Sequence, residues 1–300
     1  MNPTVQVLMS TFNGERYLAE QIDSIINQEG VSVRLRVRDD GSTDGTHAIL
    51  DDYMQRGLLE WTKGENIGWA ESFMQLIYHA PEADFYALSD QDDIWLSDKL
   101  KAATSQLSTL GNGCLLYGSN LFRFENGQPQ QPVYQGNRNV DLCRGLLKCF
   151  TAGCTMVFNR QMQAMLSRRR PEFLFAHDFW IYVVALSIGH VVYDEQPHIL
   201  YRQHENNQIG DKRTKSEIWK RRIKQMKSNR YPHPRERMAA ELLRLYGADM
   251  TPENRDIVNT IAQYRQHLRL KAKLLTDSRF TMGARSNNCW LRLRILLNRL

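Results

Sequence analysis

Phe85 to Trp95 reads FYALSDQDDIW, and this stretch decides the fold. Phe85–Ser89 is a short apolar run, the pattern of a buried strand. It leads directly into Asp90, Asp92 and Asp93, three carboxylates within four residues. Groups this close repel one another unless a cation neutralises them. Mg²⁺ or Mn²⁺ is usually held by one or two carboxylates, with substrate phosphates completing the shell. The plainer alternative is an acidic helix start capped by Asp93 or Asp98, but the position at a strand end argues against it.

Upstream, the same pattern recurs. Val5–Ser10 reads as a buried strand, and apolar residues at Tyr17, Leu18, Ile22, Ile25 and Ile26 have helical spacing. Val33–Val37 alternates like a strand and runs into Asp39-Asp40-Gly41-Ser42-Thr43-Asp44. Ser42, Thr43 or Asp44 is placed to cap a helix from Thr46 to Met54. Leu58–Thr62 reads as a third strand, Ala70–His79 as a helix, and Asp98–Leu107 as another. Strand followed by helix, four times over, argues for a parallel, doubly wound α/β sheet flanked by helices. Ligands of such sheets sit at the carboxyl ends of the strands, where both acidic clusters fall. Asp39 and Asp40 could form Asx turns and caps, or accept hydrogen bonds from a base imide or ribose hydroxyls.

The second half is less regular. Cys114–Phe124, Thr155–Phe158, Val191–Tyr193 and His198–Tyr201 read as strands, and Asn126–Asn139 as a loop. His177–Leu186 reads as a buried helix. From Asp211 the pattern is helical: Ser216–Met226, Pro234–Tyr246, Pro252–Leu275 and Asn288–Leu300.

The composition of the 300 residues, 42% hydrophobic and 24% charged, excludes global disorder, collagen and coiled coil. There is no transmembrane-length apolar run, and the N-terminus lacks the pattern of a signal peptide. Five scattered cysteines without CxxC spacing fit reduced thiols. These features predict a cytoplasmic protein. Charge divides the chain: residues 1–210 hold 17 basic and 25 acidic residues, whereas residues 211–300 hold 22 and 8. An acidic body, 1–210, thus precedes a basic helical extension, 211–300. Neither GxxxxGK[ST] nor GxGxxG follows a strand, and no GxSxG occurs, which argues against a P-loop kinase, a nicotinamide enzyme and a hydrolase.

Four motifs in order, Ser10-Thr11-Phe12-Asn13-Gly14-Glu15, Asp39-Asp40-Gly41-Ser42-Thr43-Asp44, Asn66-Ile67-Gly68 and Leu88-Ser89-Asp90-Gln91-Asp92-Asp93-Ile94-Trp95, closely resemble family 2 glycosyltransferases of the GT-A fold. The resemblance covers residues 5 to about 210. The DQDDIW form resembles the bacterial rhamnosyltransferase-like subgroup, which builds O-antigens and capsules. It implies that Thr11, Asn13, Glu15 and Asn66 line a nucleotide pocket, and that Asp39 and Asp40 contact base and ribose. Asp90 and Asp92 match the DxD motif that meets the ribose and the metal–diphosphate, with Asp93 serving or orienting the same site. Mn²⁺ or Mg²⁺ is the implied cofactor. Asp178, in Phe175-Ala176-His177-Asp178, resembles the family's acidic base, although it would equally cap its helix, which would lower its pKa. His177 stands where the family usually has an acid; it would orient Asp178, contact acceptor or simply pack. Arg202 is placed to stabilise phosphate charge and His204 to add a metal ligand. Ala152-Gly153-Cys154 resembles a small-residue turn near the acceptor side. Trp95, Phe179 and Trp180 are sugar-stacking candidates with core packing as the default.

The resemblance implies an inverting, metal-dependent sugar transfer. The donor is a nucleotide-sugar, dTDP-rhamnose first and a UDP-hexose or UDP-N-acetylhexosamine second. The acceptor is a polyprenyl-diphosphate-linked saccharide. In Asn288–Leu300, Trp290, Leu293, Leu296, Leu297 and Leu300 gather on one side, flanked by Arg292, Arg294 and Arg299. Such a helix suits the inner face of the plasma membrane; a helix packed on the body or a homodimer seam is the alternative. Two other classes remain: a non-catalytic nucleotide-sugar-binding scaffold, and a nucleic-acid binder, for which no motif is present.

Overall fold

The computed structural model describes residues 2–134, 140–203, 220 and 232–300. The four expected strand–helix units are present. They are β1 (Thr4–Thr11) with α1 (Leu18–Ile26), β2 (Ser32–Asp39) with α2 (Thr46–Gln55), β3 (Glu60–Lys63) with α3 (Trp69–Tyr78), and β4 (Phe85–Ser89) with α4 (Lys99–Ser108). A two-residue strand, β5 (Ile94–Trp95), interrupts the last unit. There follow β6 (Cys114–Glu125), β7 (Gln128–Pro132), α5 (Leu142–Gly145), β8 (Val157–Asn159), α6 (Arg160–Arg168), α7 (His177–Ile188) and β9 (Gly189–Arg202). The chain closes with α8 (Pro234–Tyr246), α9 (Pro252–Gln263), α10 (Leu268–Thr276) and α11 (Arg285–Leu296).

The strand order is β3-β2-β1-β4-β8-β6-β9-β5, with β7 on β6. β3, β2, β1 and β4 run parallel. β8 is antiparallel to both β4 and β6, and β6 and β9 run parallel again. The sheet is therefore mixed and mainly parallel. One apolar core, including Val5, Val7, Leu18, Ile22, Leu50 and Leu100, joins the sheet to α1, α2 and α4. The other joins it to α3, α6 and α7, and extends through Met238, Leu242, Ile257, Ile261, Leu274, Leu291 and Ile295 of the C-terminal helices.

Four sequence expectations are corrected. Part of the loop Asn126–Asn139 is strand β7: Asn126 and Gly127 adopt φ of 52° and 74°, the mirror-image turn that closes a tight hairpin. The prolines of β7 are tolerated because it is an edge strand. The two short strands Val191–Tyr193 and His198–Tyr201 are one, β9; its register slips between Ser119↔Asp194 and Asn120↔Pro197, so the polar Glu195-Gln196 bulges out. The helix expected over Pro252–Leu275 breaks where the Gln263 carbonyl accepts from Gln266 and His267 N–H, giving α9 and α10. The face expected on the last helix is divided: Trp290 and Leu300 are buried, while Leu293, Leu296 and Leu297 are exposed. Ser216–Met226, Lys220 excepted, lies outside the described residues.

Candidate active site

Two loop clusters meet at the carboxyl edge of β1, β2 and β4. The first is stitched from the ends of β1 and β2. Thr11 Oγ1 and Phe12 N–H both donate to Gln91 Oε1, at 2.6 and 2.8 Å. Asn13 N–H donates to Ser42 Oγ, and Asn13 Oδ1 accepts from Thr43 N–H. Glu15 N–H donates to Asp44, and the Glu15 carboxylate accepts from Gly45 N–H. Asp44 also accepts from Thr46 N–H, but the N-cap of α2 is Gly45, without a side-chain cap bond, rather than the expected Ser42, Thr43 or Asp44. Thr11, Asn13 and Glu15 thus hold the two loops together. Gly14 permits the approach, since a Cβ there would lie 2.7 Å from Gln91 Oε1.

Asp39 is fully buried at the end of β2. Its Oδ2 accepts from Gly41 N–H, Ser42 N–H and the His47 ring at 2.8–3.1 Å, and His47 is stacked on Trp61. Burial pushes the Asp39 pKa up, but the hydrogen bonds from Ser42 and His47 prevail and the net shift is downward. The carboxylate is therefore ionised, while its Oδ1 has no hydrogen-bond partner among the described residues. A buried acceptor left in this state costs about 1–3 kcal/mol, and a ligand N–H or hydroxyl would relieve it. Asp40 differs: Arg38 and the N–H groups of Ile67 and Gly68 engage both its oxygens. It anchors the Asn66-Ile67-Gly68 loop, where Asn66 is exposed. Gly41, at φ 88°, lets that loop pass; a Cβ would lie 3.2 Å from Asn66 N.

The second cluster contains the acids. The ligand atoms of Asp90, Asp93 and Cys154 all lie within 4.8 Å of one another. Burial and the charges of Asp92 and Asp178 push the Asp90 pKa up to about 7. Asp93 is raised well above its ordinary value by burial and by Asp92 and Asp90. Cys154 is likewise kept a thiol by burial and by Asp93 and Asp90. A protonated sulfur is a poor partner for Mg²⁺ or Mn²⁺, which take oxygen ligands. Mutually destabilised carboxylates are the donor set such an ion favours, so the residues fit a hard divalent cation. Asp92 stands outside the 4.8 Å group but close enough to raise both neighbours. Its carbonyl accepts from Arg202 Nε, and Asp93 accepts from Arg202 N–H. The Arg202 guanidinium also pairs with Glu20 at 2.5 Å and lies over Tyr17 and Phe124. It braces the acidic loop. His204 falls outside the described residues.

Asp178 closes the cluster from α7. The helix is capped at Ala176 without a side-chain bond, and Asp178 lies in its first turn. Its Oδ1 accepts from Phe179 N–H at 2.7 Å. Burial raises its pKa despite that bond and the nearby Arg235, opposite to the effect expected of a cap. The His177 ring is buried, stacked on Phe73 at 4.1 Å with Trp69 edge-on at 5.3 Å. Desolvation lowers its pKa to about 3, and neither ring nitrogen has a partner among the described residues. His177 therefore packs as a neutral ring. Gly153 fits under it, since a Cβ would lie 3.0 Å from Nε2 and 3.4 Å from Asp178 Cβ. Trp95, Phe179 and Trp180 are buried core residues.

Sequence reading missed four residues. Gln91 sits inside the DQDD motif, yet its neutral amide ties the acidic loop to Thr11 and Phe12. Trp69, 49% exposed at the start of α3, is an apolar ring set edge-on to His177, the residue before Asp178. Lys99 is fully buried with Nζ 3.2 Å from the Trp95 ring centre; desolvation lowers its pKa to about 7, despite Cys154 and Asp93. Arg235, from the far C-terminal region, gave no signal in the sequence.

The mixed, mainly parallel sheet with helical cores on both faces and a carboxylate-rich edge has the architecture of GT-A glycosyltransferases. Residues 6–164 match the profile of glycosyl transferase family 2, and the chain belongs to that family. It is 30% identical to dTDP-rhamnosyl transferase RfbG of Shigella flexneri, over 67% of this chain and 73% of that one. It is 23% identical to the Escherichia coli UDP-Glc:alpha-D-GlcNAc-diphosphoundecaprenol beta-1,3-glucosyltransferase WfgD, over 62% and 71%. Its fold is similar to that of S. aureus TarS 1–349 in complex with UDP-GlcNAc, with a TM-score of 0.55, 17% identity, and 97% and 90% of the chains covered. The mannosyltransferase PcManGT of Pyrobaculum calidifontis, solved with GDP-Man and Mn²⁺, has a TM-score of 0.50 and 18% identity, covering 99% and 86%. The protein is thus a family 2 glycosyltransferase that uses a nucleotide-sugar. No helix among the described residues is long and apolar enough to cross a membrane.

Proposed function

We propose that this enzyme transfers a sugar, with inversion, from dTDP-rhamnose to a polyprenyl-diphosphate-linked saccharide during bacterial surface-polysaccharide synthesis. The observation that carries the reading is the confrontation of Asp178 with the Asp90–Asp93 cluster, close enough for Asp178 to raise the Asp90 pKa. The unpaired Asp39 Oδ1 is available to the donor's base or ribose, with Thr11, Asn13, Glu15, Asp40 and Asn66 shaping that pocket. Asp90 and Asp92 would hold Mn²⁺ or Mg²⁺, with Asp93 orienting them. When bound, the cation supplies neutralising charge to the departing diphosphate. Asp178 takes the proton of the acceptor hydroxyl; a carboxylate with a raised pKa is a stronger base than a surface one. Arg202 holds the acidic loop in place. The relative that acts with dTDP-rhamnose supports that donor. The relative whose acceptor is a diphosphoundecaprenol-linked sugar supports the lipid acceptor and also the second donor choice, UDP-glucose.

Residues 211–300 serve as a basic extension, and exposed Leu293, Leu296 and Leu297 face the inner membrane surface peripherally. Thermal stability with dTDP, UDP, GDP, CDP and ADP, each with and without Mn²⁺, tests the donor: a bound ligand raises stability by RT ln(1 + [L]/Kd). A metal-dependent rise with dTDP alone supports rhamnose, and one with UDP alone supports the glucose class. No rise with any nucleotide defeats the proposal. Replacing Leu293, Leu296 and Leu297 by serine should move protein from vesicles to solution; unchanged partition defeats the membrane assignment.

A further inference from the structure

We propose that Arg235, with Arg294 beside it, forms an anion site next to Asp178 that takes the diphosphate of the acceptor. This rests on the transferase reading above. Arg235 is the second residue of α8, which opens with Pro234, so it stands at the positive end of a helix of thirteen residues. Its Cζ lies 3.9 Å from the Phe179 ring centre and 5.2 Å from that of Phe175. Two aromatic faces therefore fix the guanidinium plane without using its N–H donors. Its Nη1 is buried and has no hydrogen-bond partner among the described residues, while the residue as a whole stays partly exposed.

Two further observations support a ligand there. Phe179 directly follows Asp178, and Arg235 is close enough to lower the Asp178 pKa. Arg294 of α11 is close enough to repel Arg235, and Asp178 is its attracting charge; Arg294 Nε donates to the Arg299 carbonyl. The Asp178 carboxylate accepts from Phe179 N–H and leaves Nη1 unmatched. A guanidinium with an unused buried donor is costly when empty. A dianionic oxygen cluster relieves that cost, because the guanidinium fork matches phosphate oxygens. Arg294 shares α11 with the exposed Leu293 and Leu296. In this proposal the acceptor's sugar hydroxyl sits at Asp178, its diphosphate at Arg235 and Arg294, and its lipid chain toward the leucines. The donor diphosphate belongs with Asp90 and Asp92, so the two anion sites are separate.

The test is calorimetric titration of the full chain with farnesyl diphosphate in EDTA, which removes any metal-held phosphate. Arg235→Met should weaken binding about tenfold, and Arg294→Met should weaken it less. Asp178→Asn should tighten it, because a neighbouring negative charge is gone; a merely structural arginine would not give that sign. Farnesol should bind far more weakly than the diphosphate. Unchanged affinity in Arg235→Met overturns the site, and so does displacement of farnesyl diphosphate by dTDP or UDP, which would put the anion in the donor pocket. If Arg235→Met does not fold, Arg235→Lys carries the test: it keeps the charge but loses the fork, so affinity should fall, and wild-type affinity overturns the site. The nucleotide-dependent stability shift is measured on the same samples. Its absence alongside Arg235-dependent diphosphate binding removes the transferase reading and keeps the site; the reverse removes the site alone.

Discussion

The two loop clusters at the sheet edge treat their carboxylates in opposite ways. On the β2 side, Asp39 is buried but receives three hydrogen bonds, and its pKa is lowered. On the β4 and α7 side, Asp93 is buried and Asp90 and Asp178 are half-buried; with fewer donors, and for Asp90 and Asp93 with negative neighbours as well, all three are raised. The first arrangement is complete apart from one acceptor atom; the second is unstable until positive charge arrives. A site that binds an uncharged group by hydrogen bonding can be built in advance. A site that binds a cation has to keep its carboxylates short of partners.

The largest effect that would break this contrast is at Asp178. Asp178→Asn should lower turnover by about 10³-fold while leaving the nucleotide-dependent stability shift intact, measured by initial rates and thermal melts. Retained turnover would mean that another base acts. Next is Asp90→Asn, which should abolish the Mn²⁺-dependent shift and, by removing a repelling charge, raise the melting temperature of the metal-free protein. A drop in that temperature would show that the acids are not in conflict. The pH dependence sharpens the comparison. With its folded pKa raised to about 7, Asp90 must release a proton to take a cation, so metal affinity should fall by up to tenfold per unit below about pH 7. The metal-free fold should lose stability as pH rises from the ordinary carboxylate range toward 7, because the unfolded chain releases that proton first. Asp39 has the opposite sign: its contribution is present above the ordinary carboxylate range and is lost as pH falls through its lowered pKa. Smaller still is Trp69→Ala, which should raise the acceptor KM about tenfold through loss of stacking area with donor KM unchanged. An altered donor KM would move Trp69 to the nucleotide side. The smallest is Lys99→Met, which should change the melting temperature by only a few degrees, upward if the buried amine costs more than its contact with Trp95 returns.

Much of this was legible in the residues. The strand–helix period, the acidic clusters at strand ends and the Asp178 position all follow from patterns that are local in the chain. Where local signals were read too coarsely, at Asn126-Gly127 and at the Glu195-Gln196 bulge, the sequence still contained the information. Roles that depend on a distant partner were different. Asp40 and Asp39 are adjacent and chemically identical, yet one is consumed by the loop at Ile67–Gly68 and the other keeps a free oxygen. His177 packs as a neutral ring because Phe73 and Trp69, about a hundred residues earlier in the chain, enclose it.

The sequence by itself determined the family, the parallel half of the sheet and the set of acids. Hydrophobic period and motif spacing are properties of neighbouring residues, so they need no third dimension. Only the tertiary structure decided which acids share a field, which of them are satisfied, and that an arginine of the C-terminal helices stands beside Asp178. Burial and charge coupling depend on distance through space, and the chain brings residues 90, 178, 235 and 294 together only when it is folded.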